Sequence, residues 1–118
     1  MYTPASVIAE TIIDQYPDTT EIRGWHIACA VSPEIDNIKG ISHDYDGTVI
    51  MRRDGYTMRF ETQSDYREDD SAYLAAWEFT LFEKDAEPIT TFANSIRKGE
   101  SAKDFITRII ETIADWAE

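Results

Sequence analysis

Two aspartates one residue apart, Asp44 and Asp46, stand directly before Gly47-Thr48. Carboxylates at that spacing can share a divalent cation, and one of them can attack phosphorus. A second acidic group is denser. Asp65, Glu68, Asp69 and Asp70 place four carboxylates within six residues, with Tyr66 and Arg67 interleaved. Four carboxylates can coordinate calcium, but the EF-hand spacing and its central glycine are missing. Two readings remain for this group. It is a solvated loop, or it is a contact patch for a basic partner in which Tyr66 supplies the amphipathic anchor that hot spots favour. His26, Cys29 and His43 are the only imidazoles and thiol in the chain. A structural zinc site takes four N or S ligands, so three are too few. Neither a metal site nor a cofactor is expected, and Cys29 reads as a small buried apolar residue.

The segment Ser42-His43-Asp44-Tyr45-Asp46-Gly47-Thr48-Val49 resembles the first motif of haloacid-dehalogenase-type phosphatases, Asp-x-Asp-Gly-Thr. That resemblance implies Asp44 as nucleophile and Asp46 as general acid and base. The family places the motif after a buried hydrophobic strand of a doubly wound sheet. Here Lys39-Gly40-Ile41-Ser42-His43 precede it and a hairpin pattern follows. The residues themselves read as an acidic loop of turn formers leading into a strand. The chain is therefore expected to be non-catalytic, with a metal-dependent phosphatase as the most remote alternative.

The elements that would position these groups follow from periodicity. Thr3-Pro4 reads as a helix start, Thr as N-cap and Pro at the first helical position. Ala5, Ile8, Ala9, Ile12, Ile13 and Tyr16 then recur at helical spacing up to Pro17. Trp25, Ile27, Cys29 and Val31 alternate with His26, Ala28 and Ala30, which predicts a strand. A helix also fits Ile22, Trp25 and Cys29, but Gly24 weakens it. Residues 34–46 read as a loop. Thr48 to Arg53 and Tyr56 to Thr62 flank Asp54-Gly55, a two-residue hairpin signal. That turn would pair Met51 with Met58 and Val49 with Phe60, and send all four into the core. Residues 63–71 read as a polar loop, and Tyr73 to Leu81 as a long alternating strand broken over Lys84 to Pro88. Ile89 to Ile96 read as a short helix. Ser101, with Asp104 three residues on, caps a last helix carrying Phe105, Ile106, Ile109, Ile110 and Ile113. The expected architecture is one α+β domain over residues 1–118. It has an N-terminal helix, an antiparallel sheet of about four strands, and two C-terminal helices on one sheet face.

The charge balance limits function. The chain has 23 Asp and Glu against 11 Lys and Arg, a net charge of -12 in 118 residues. Such an excess opposes direct binding to nucleic acid or anionic membranes and favours a basic protein surface. Duplex DNA as long as such a domain, roughly 35 Å, carries roughly 20 charges, so a mimic of a local phosphate row is expected rather than of a whole duplex. On the last helix Asp104, Glu111, Asp115 and Glu118 share one face, which reads chiefly as a solvated surface. One cysteine allows no internal disulfide, and the first residues have no basic, apolar leader pattern. A cytoplasmic location is expected.

In organisation, the region from Thr48 to Glu118 is similar to small acidic phage-encoded inhibitors such as Cas9-blocking anti-CRISPR proteins: a hairpin, another strand, then two helices. The likeness is one of topology and charge, without a shared motif. It implies an inhibitor that occupies a nucleic-acid groove of a nuclease or CRISPR effector. The expected contact residues are Asp65, Tyr66, Glu68, Asp69 and Asp70, with Asp44 and Asp46 secondary. An alternative from another class is a small acidic chaperone or adaptor that binds an apolar segment across a sheet face bearing Ile50, Leu74 and Phe82.

Overall fold

In the computed structural model of the protein, residues 1–83 and 87–118 are described. The fold is α+β: a five-stranded antiparallel sheet with helices on one face. The strands are β1 (Ile38–Asp44), β2 (Gly47–Arg52), β3 (Thr57–Tyr66), β4 (Ala72–Phe82) and β5 (Pro88–Ser95), in the spatial order β1-β2-β3-β4-β5. The helices are α1 (Ala5–Gln15), α2 (Gly24–Val31) and α3 (Ala102–Ala117).

Helix α1 starts one residue later than its sequence suggests. Pro4 is the N-cap, and the Thr3 hydroxyl donates to Glu34 Oε1 at 2.7 Å instead of capping. Ala5, Ile8, Ala9 and Ile12 are buried. Residues 25–31, expected as a strand, lie in helix α2. Ile27, Ala28 and Val31 are buried at helical spacing, and the alternation of larger side chains is coincidental. The glycine that weighed against a helix is what lets this one dock. A Cβ on Gly24 would lie 3.1–3.2 Å from the Phe60 ring, the Phe60 carbonyl and Glu61 Oε1. The Gly24 N–H also donates to Glu61 Oε1 at 2.7 Å, which places a carboxylate at the N-terminus of α2.

Residues 38–44, expected within a loop, form edge strand β1, whose weak alternation is interrupted by a bulge between Ile38 and Gly40. Of residues 89–96, expected as a helix, all but Ile96 lie in β5. The run Ile89-Thr90-Thr91-Phe92 is β-branched and aromatic, and the pairing of Phe92 with Phe79 favours the strand. The chain therefore ends in a strand and one helix, not two helices. This departs from the topology on which the inhibitor likeness rests. The break expected over Lys84 to Pro88 lies outside the described residues except for Glu87 and Pro88, and Pro88 opens β5.

The β2–β3 hairpin forms where expected, but in a different register. Ile50 pairs with Met58 and Thr48 with Phe60. The Arg52 N–H donates to Tyr56 O at 2.8 Å and Gly55 N–H to Arg52 O at 3.1 Å. The loop therefore has three residues, a type I turn followed by Gly55 at φ 95°. A two-residue type I′ turn would need positive φ at Asp54 as well. The one-residue slip turns β2 over. Thr48 and Ile50 are buried, while Val49 and Met51 lie half-buried on the open face. Met58 and Phe60 point inward as expected.

The core runs continuously from the sheet to the helices. Phe60, Trp77 and Phe79 form an aromatic row on the inner face, with ring centroids 5.7 Å and 4.3 Å apart in sequence. Helix α3 starts as expected, with Ser101 Oγ accepting from Asp104 N–H. It buries Phe105, Ile106, Ile109, Ile110, Ile113, Ala114 and Ala117, a stripe wide enough to pack against α1 as well as the rest of the core. Its two ends are tied down separately. At the start, Arg108 grips Glu100 through Nε at 2.7 Å and Nη2 at 2.8 Å, and Nη2 also donates to Ser95 O. At the finish, Arg52 Nη1 donates to Trp116 O and Asn37 Nδ2 to Ala117 O.

Two predictions test this packing. Thr48 is fully buried, and its hydroxyl has no hydrogen-bond partner among the described residues. Thr48→Val keeps the shape and removes the unpaired hydroxyl. It is expected to stabilise the fold by about 1 kcal/mol, read as a higher urea midpoint at unchanged slope. The second concerns Glu100, whose carboxyl is pushed down to about 2, first by the Arg108 hydrogen bond. A depressed folded-state pKa stabilises above the ordinary carboxylate value and is lost as pH falls through the folded value. Stability should therefore decline between about pH 5 and about pH 2. Glu100→Gln should lower stability at neutral pH and flatten that decline, as followed by thermal melts across the range.

Candidate functional site

Both acidic groups lie at the same end of the sheet but not together. Asp44 closes β1, and Tyr45-Asp46 form a two-residue turn into Gly47. The Asp44 carboxylate is already occupied. Arg59 Nη1 and Nη2 reach its two oxygens at 2.6 Å and 3.0 Å, and Asp46 N–H donates to Oδ1 at 2.9 Å. The Arg59 hydrogen bond holds this carboxyl below the usual range. Asp46 is mostly exposed, 4.0 Å from the same guanidinium. The Asp-x-Asp-Gly-Thr segment thus sits on a tight turn between antiparallel strands. The doubly wound parallel sheet that the phosphatase family requires is absent among the described residues. Nor do those residues hold a group of three or more His, Cys, Asp or Glu placed for a metal ion.

Asp65, Tyr66, Glu68, Asp69 and Asp70 occupy a projecting arm. Strand β3 leaves its last β2 partner at Phe60 and continues to Tyr66, about 20 Å further at about 3.3 Å per residue. Pairing between β4 and β5 stops at Ala76–Ser95. Beyond it, Ser64, Asp65 and Tyr66 pair only with Leu74, Tyr73 and Ala72. A bulge between Gln63 and Ser64 keeps Leu74 facing inward, where it is 2% exposed and anchors the base of the arm. The Thr62 hydroxyl, donating to Ile22 O at 2.8 Å, fixes the same region to the α1–α2 connection. This arm lengthens the molecule to 45 Å against 29 and 23 Å in the other directions.

The tip repeats the β2–β3 turn. Arg67 N–H donates to Ser71 O at 2.8 Å and Asp70 N–H to Arg67 O at 3.0 Å. Asp70 stands at φ 66° where the other hairpin has Gly55. Asp69 Oδ1 accepts from the Ser71 hydroxyl and N–H, which hold its carboxyl below the usual range. Asp65 Oδ1 accepts from Tyr66 N–H. Tyr66 is 72% exposed. The lone cation, Arg67, lies over the Tyr73 ring at 4.7 Å. All residues from 63 to 72 are exposed.

Two structural features escape the sequence reading. His26 and Cys29 share one side of α2, since three positions on a helix bring them together. Cys29 is exposed rather than buried, and partial burial raises its thiol pKa. With Tyr16, Trp25 and Glu34 they line a cleft of about 640 Å3 between α1 and α2. The His26 ring stacks on Tyr16 at 4.2 Å, and its Nδ1 accepts from Arg23 N–H. The second is the open sheet face. Ile50 and Leu74, which the adaptor alternative needs on the surface, are in the core instead. Asp104, Glu111 and Asp115 on α3, and Glu118 just after it, are exposed. No helix among the described residues is long and apolar enough to cross a membrane. Compared with protein families, with curated proteins and with solved structures, the chain matches none.

The left-handed conformation at Asp70 costs a non-glycine residue energy that glycine avoids. Asp70→Gly is expected to stabilise the protein by up to about 1 kcal/mol, the relieved strain exceeding the unfolded-state entropy that glycine adds, visible as a raised melting temperature. Gly55→Ala in the equivalent turn should shift it the other way.

Proposed function

We propose that this chain is a non-catalytic, acidic binding protein that inserts its β3–β4 arm into a basic, nucleic-acid-binding groove of a partner enzyme. The partner class is a nuclease, with RNA-guided CRISPR effectors first. Inhibition would be steric and electrostatic, by occupation of the path that DNA or RNA takes. The observation that carries this reading is the tip itself. Four carboxylates and an exposed tyrosine sit on a narrow projection whose single arginine is laid against Tyr73. A finger of that shape suits a groove better than a flat acidic face does. Asp44 and Asp46 contribute less, because Arg59 already neutralises part of their charge.

The test is a DNA-cleavage assay with a purified Cas9-type nuclease, titrated with this protein at two salt concentrations. The neutral arm is Asp65→Asn, Glu68→Gln, Asp69→Asn and Asp70→Gly together. These choices keep the Asp69–Ser71 turn and the positive φ at position 70. Wild-type protein should inhibit cleavage, less strongly at high salt. The neutral arm should fold normally and inhibit at least about tenfold more weakly, a loss of about 1.4 kcal/mol. Equal inhibition by both proteins removes the arm from the mechanism. Absence of binding and inhibition by the wild type rejects this partner class.

A further inference from the structure

The two edges of the sheet are built differently. Edge β1 is blunted in the usual ways: a bulge, Lys39 and the charged end Asp44. Edge β5 is not. Its eight residues, Pro-Ile-Thr-Thr-Phe-Ala-Asn-Ser, include no charge, in a chain where 29% of residues are charged. Its one proline, Pro88, is its first residue, and its register irregularity with β4 lies at the same end, between Leu81 and Phe82. From Thr90 to Ser95 the strand pairs regularly.

The direction of its free backbone groups can be counted. Ile96 N–H donates to Ala75 O at 2.8 Å. Antiparallel pairs alternate between bonded and non-bonded positions, so 94, 92 and 90 bond to β4. Thr91, Ala93 and Ser95 turn their N–H and C=O groups away from it. Arg108 Nη2 already covers Ser95 O, which among the described residues leaves Thr91 and Ala93 as the open pair. Between them, Phe92 lies 47% exposed on the inner face, stacked on Phe79 at 5.0 Å.

We infer that β5 is a self-association edge, on which a second copy of this chain pairs antiparallel about a two-fold axis at Phe92. That register is self-complementary. Thr91 meets the second copy's Ala93 and Ala93 its Thr91, so four backbone hydrogen bonds form between two identical surfaces. At the centre the two Phe92 rings face each other in a non-bonded pair, the closer kind. They join the two Trp77–Phe79–Phe92 stacks into one aromatic row. A neutral edge also fits a like-charged copy better than a basic partner, because it brings no carboxylate into the joint. Each copy carries a net charge of -12, so long-range repulsion opposes the pairing and salt should relieve it. An electrostatic contact with a basic partner has the opposite salt dependence.

Sedimentation of the full chain from about 10 to 500 µM, in about 50 mM and about 500 mM NaCl, gives the test. The expected result is a monomer–dimer equilibrium, up to twice 13.5 kDa, whose dissociation constant falls at least about threefold at the higher salt. Ala93→Pro removes an outward N–H without touching the β4 ladder, so it should fold normally and remain monomeric. Cys29→Ser with Phe92→Cys should form an intermolecular disulfide on mild oxidation, because directly opposed non-bonded positions bring Cα atoms within disulfide range. Cys29→Ser with Ile89→Cys should cross-link much less. A wild-type chain that stays monomeric throughout overturns the proposal. So does cross-linking that is no better at position 92 than at position 89.

Discussion

Arg52 is the point on which the arrangement of sheet and helices turns. Its Nε and Nη2 bind both oxygens of Asp54 at 3.1 Å and 2.6 Å, and this holds the aspartate within the three-residue turn. That turn decides which face of β2 is buried. Its third nitrogen, Nη1, donates at 2.7 Å to the Trp116 carbonyl, one of the acceptors left free at the end of α3. Its guanidinium plane lies 4.8 Å from the Tyr56 ring and 5.1 Å from the Trp116 ring. One side chain therefore couples hairpin register to helix position. A positive group at a helix C-terminus also opposes the helix dipole favourably. Lysine would bring the charge but not three directed contacts from a planar fork.

The distribution of cations explains how so acidic a chain folds and where its charge is left over. Arg52, Arg59, Arg108 and Lys103 each meet a carboxylate within the body, at Asp54, Asp44, Glu100 and Glu10. Arg53 Nε donates to Asp36 O. They brace the β2–β3 turn, tie β3 to β1 across β2, and hold the start of α3, and each stabilises modestly and mainly fixes geometry. The arm tip receives one cation for four carboxylates, and that cation is stacked on Tyr73. Repulsion is therefore least compensated on the segment that projects furthest. There, solvent screens it and a basic surface would relieve it.

Legibility in the sequence followed the strength of local signals. The buried stripe of α3 and its Ser101 cap read correctly, because a sixteen-residue helix repeats its pattern several times. So did the Met58 and Phe60 face of β3. The hairpin location was readable at Asp54-Gly55, but its register was not. Asp-Gly serves both a two-residue turn and a type I turn ending in glycine, and the Arg52–Asp54 contact selects the second. Residues 25–31 and 89–96 each take the element opposite to the one their pattern predicts. Each is eight residues or fewer in its described element, and each fits both periods. Tertiary partners decided between them: the contact of Gly24 with Phe60 and Glu61, and the pairing of β5 with β4. The acidic residues of the candidate site were legible as a cluster. Their presentation on an arm was not, since that depends on β3 and β4 outrunning their neighbours, a property of the whole sheet.

The acidic arm and the neutral edge share β4, and their geometry makes them compatible. Antiparallel pairing of β5 with its copy sets the end of one sheet beside the start of the other. The two arms, each extending from the end of β3 and the start of β4, then point to opposite ends of a ten-stranded sheet. The most concentrated negative charges are as far apart as the assembly allows, much further than a screening length of about 8 Å at physiological salt. Repulsion between copies comes instead from the diffuse charge of the bodies, which salt weakens without altering the joint. Self-association of this kind leaves both tips open to solvent.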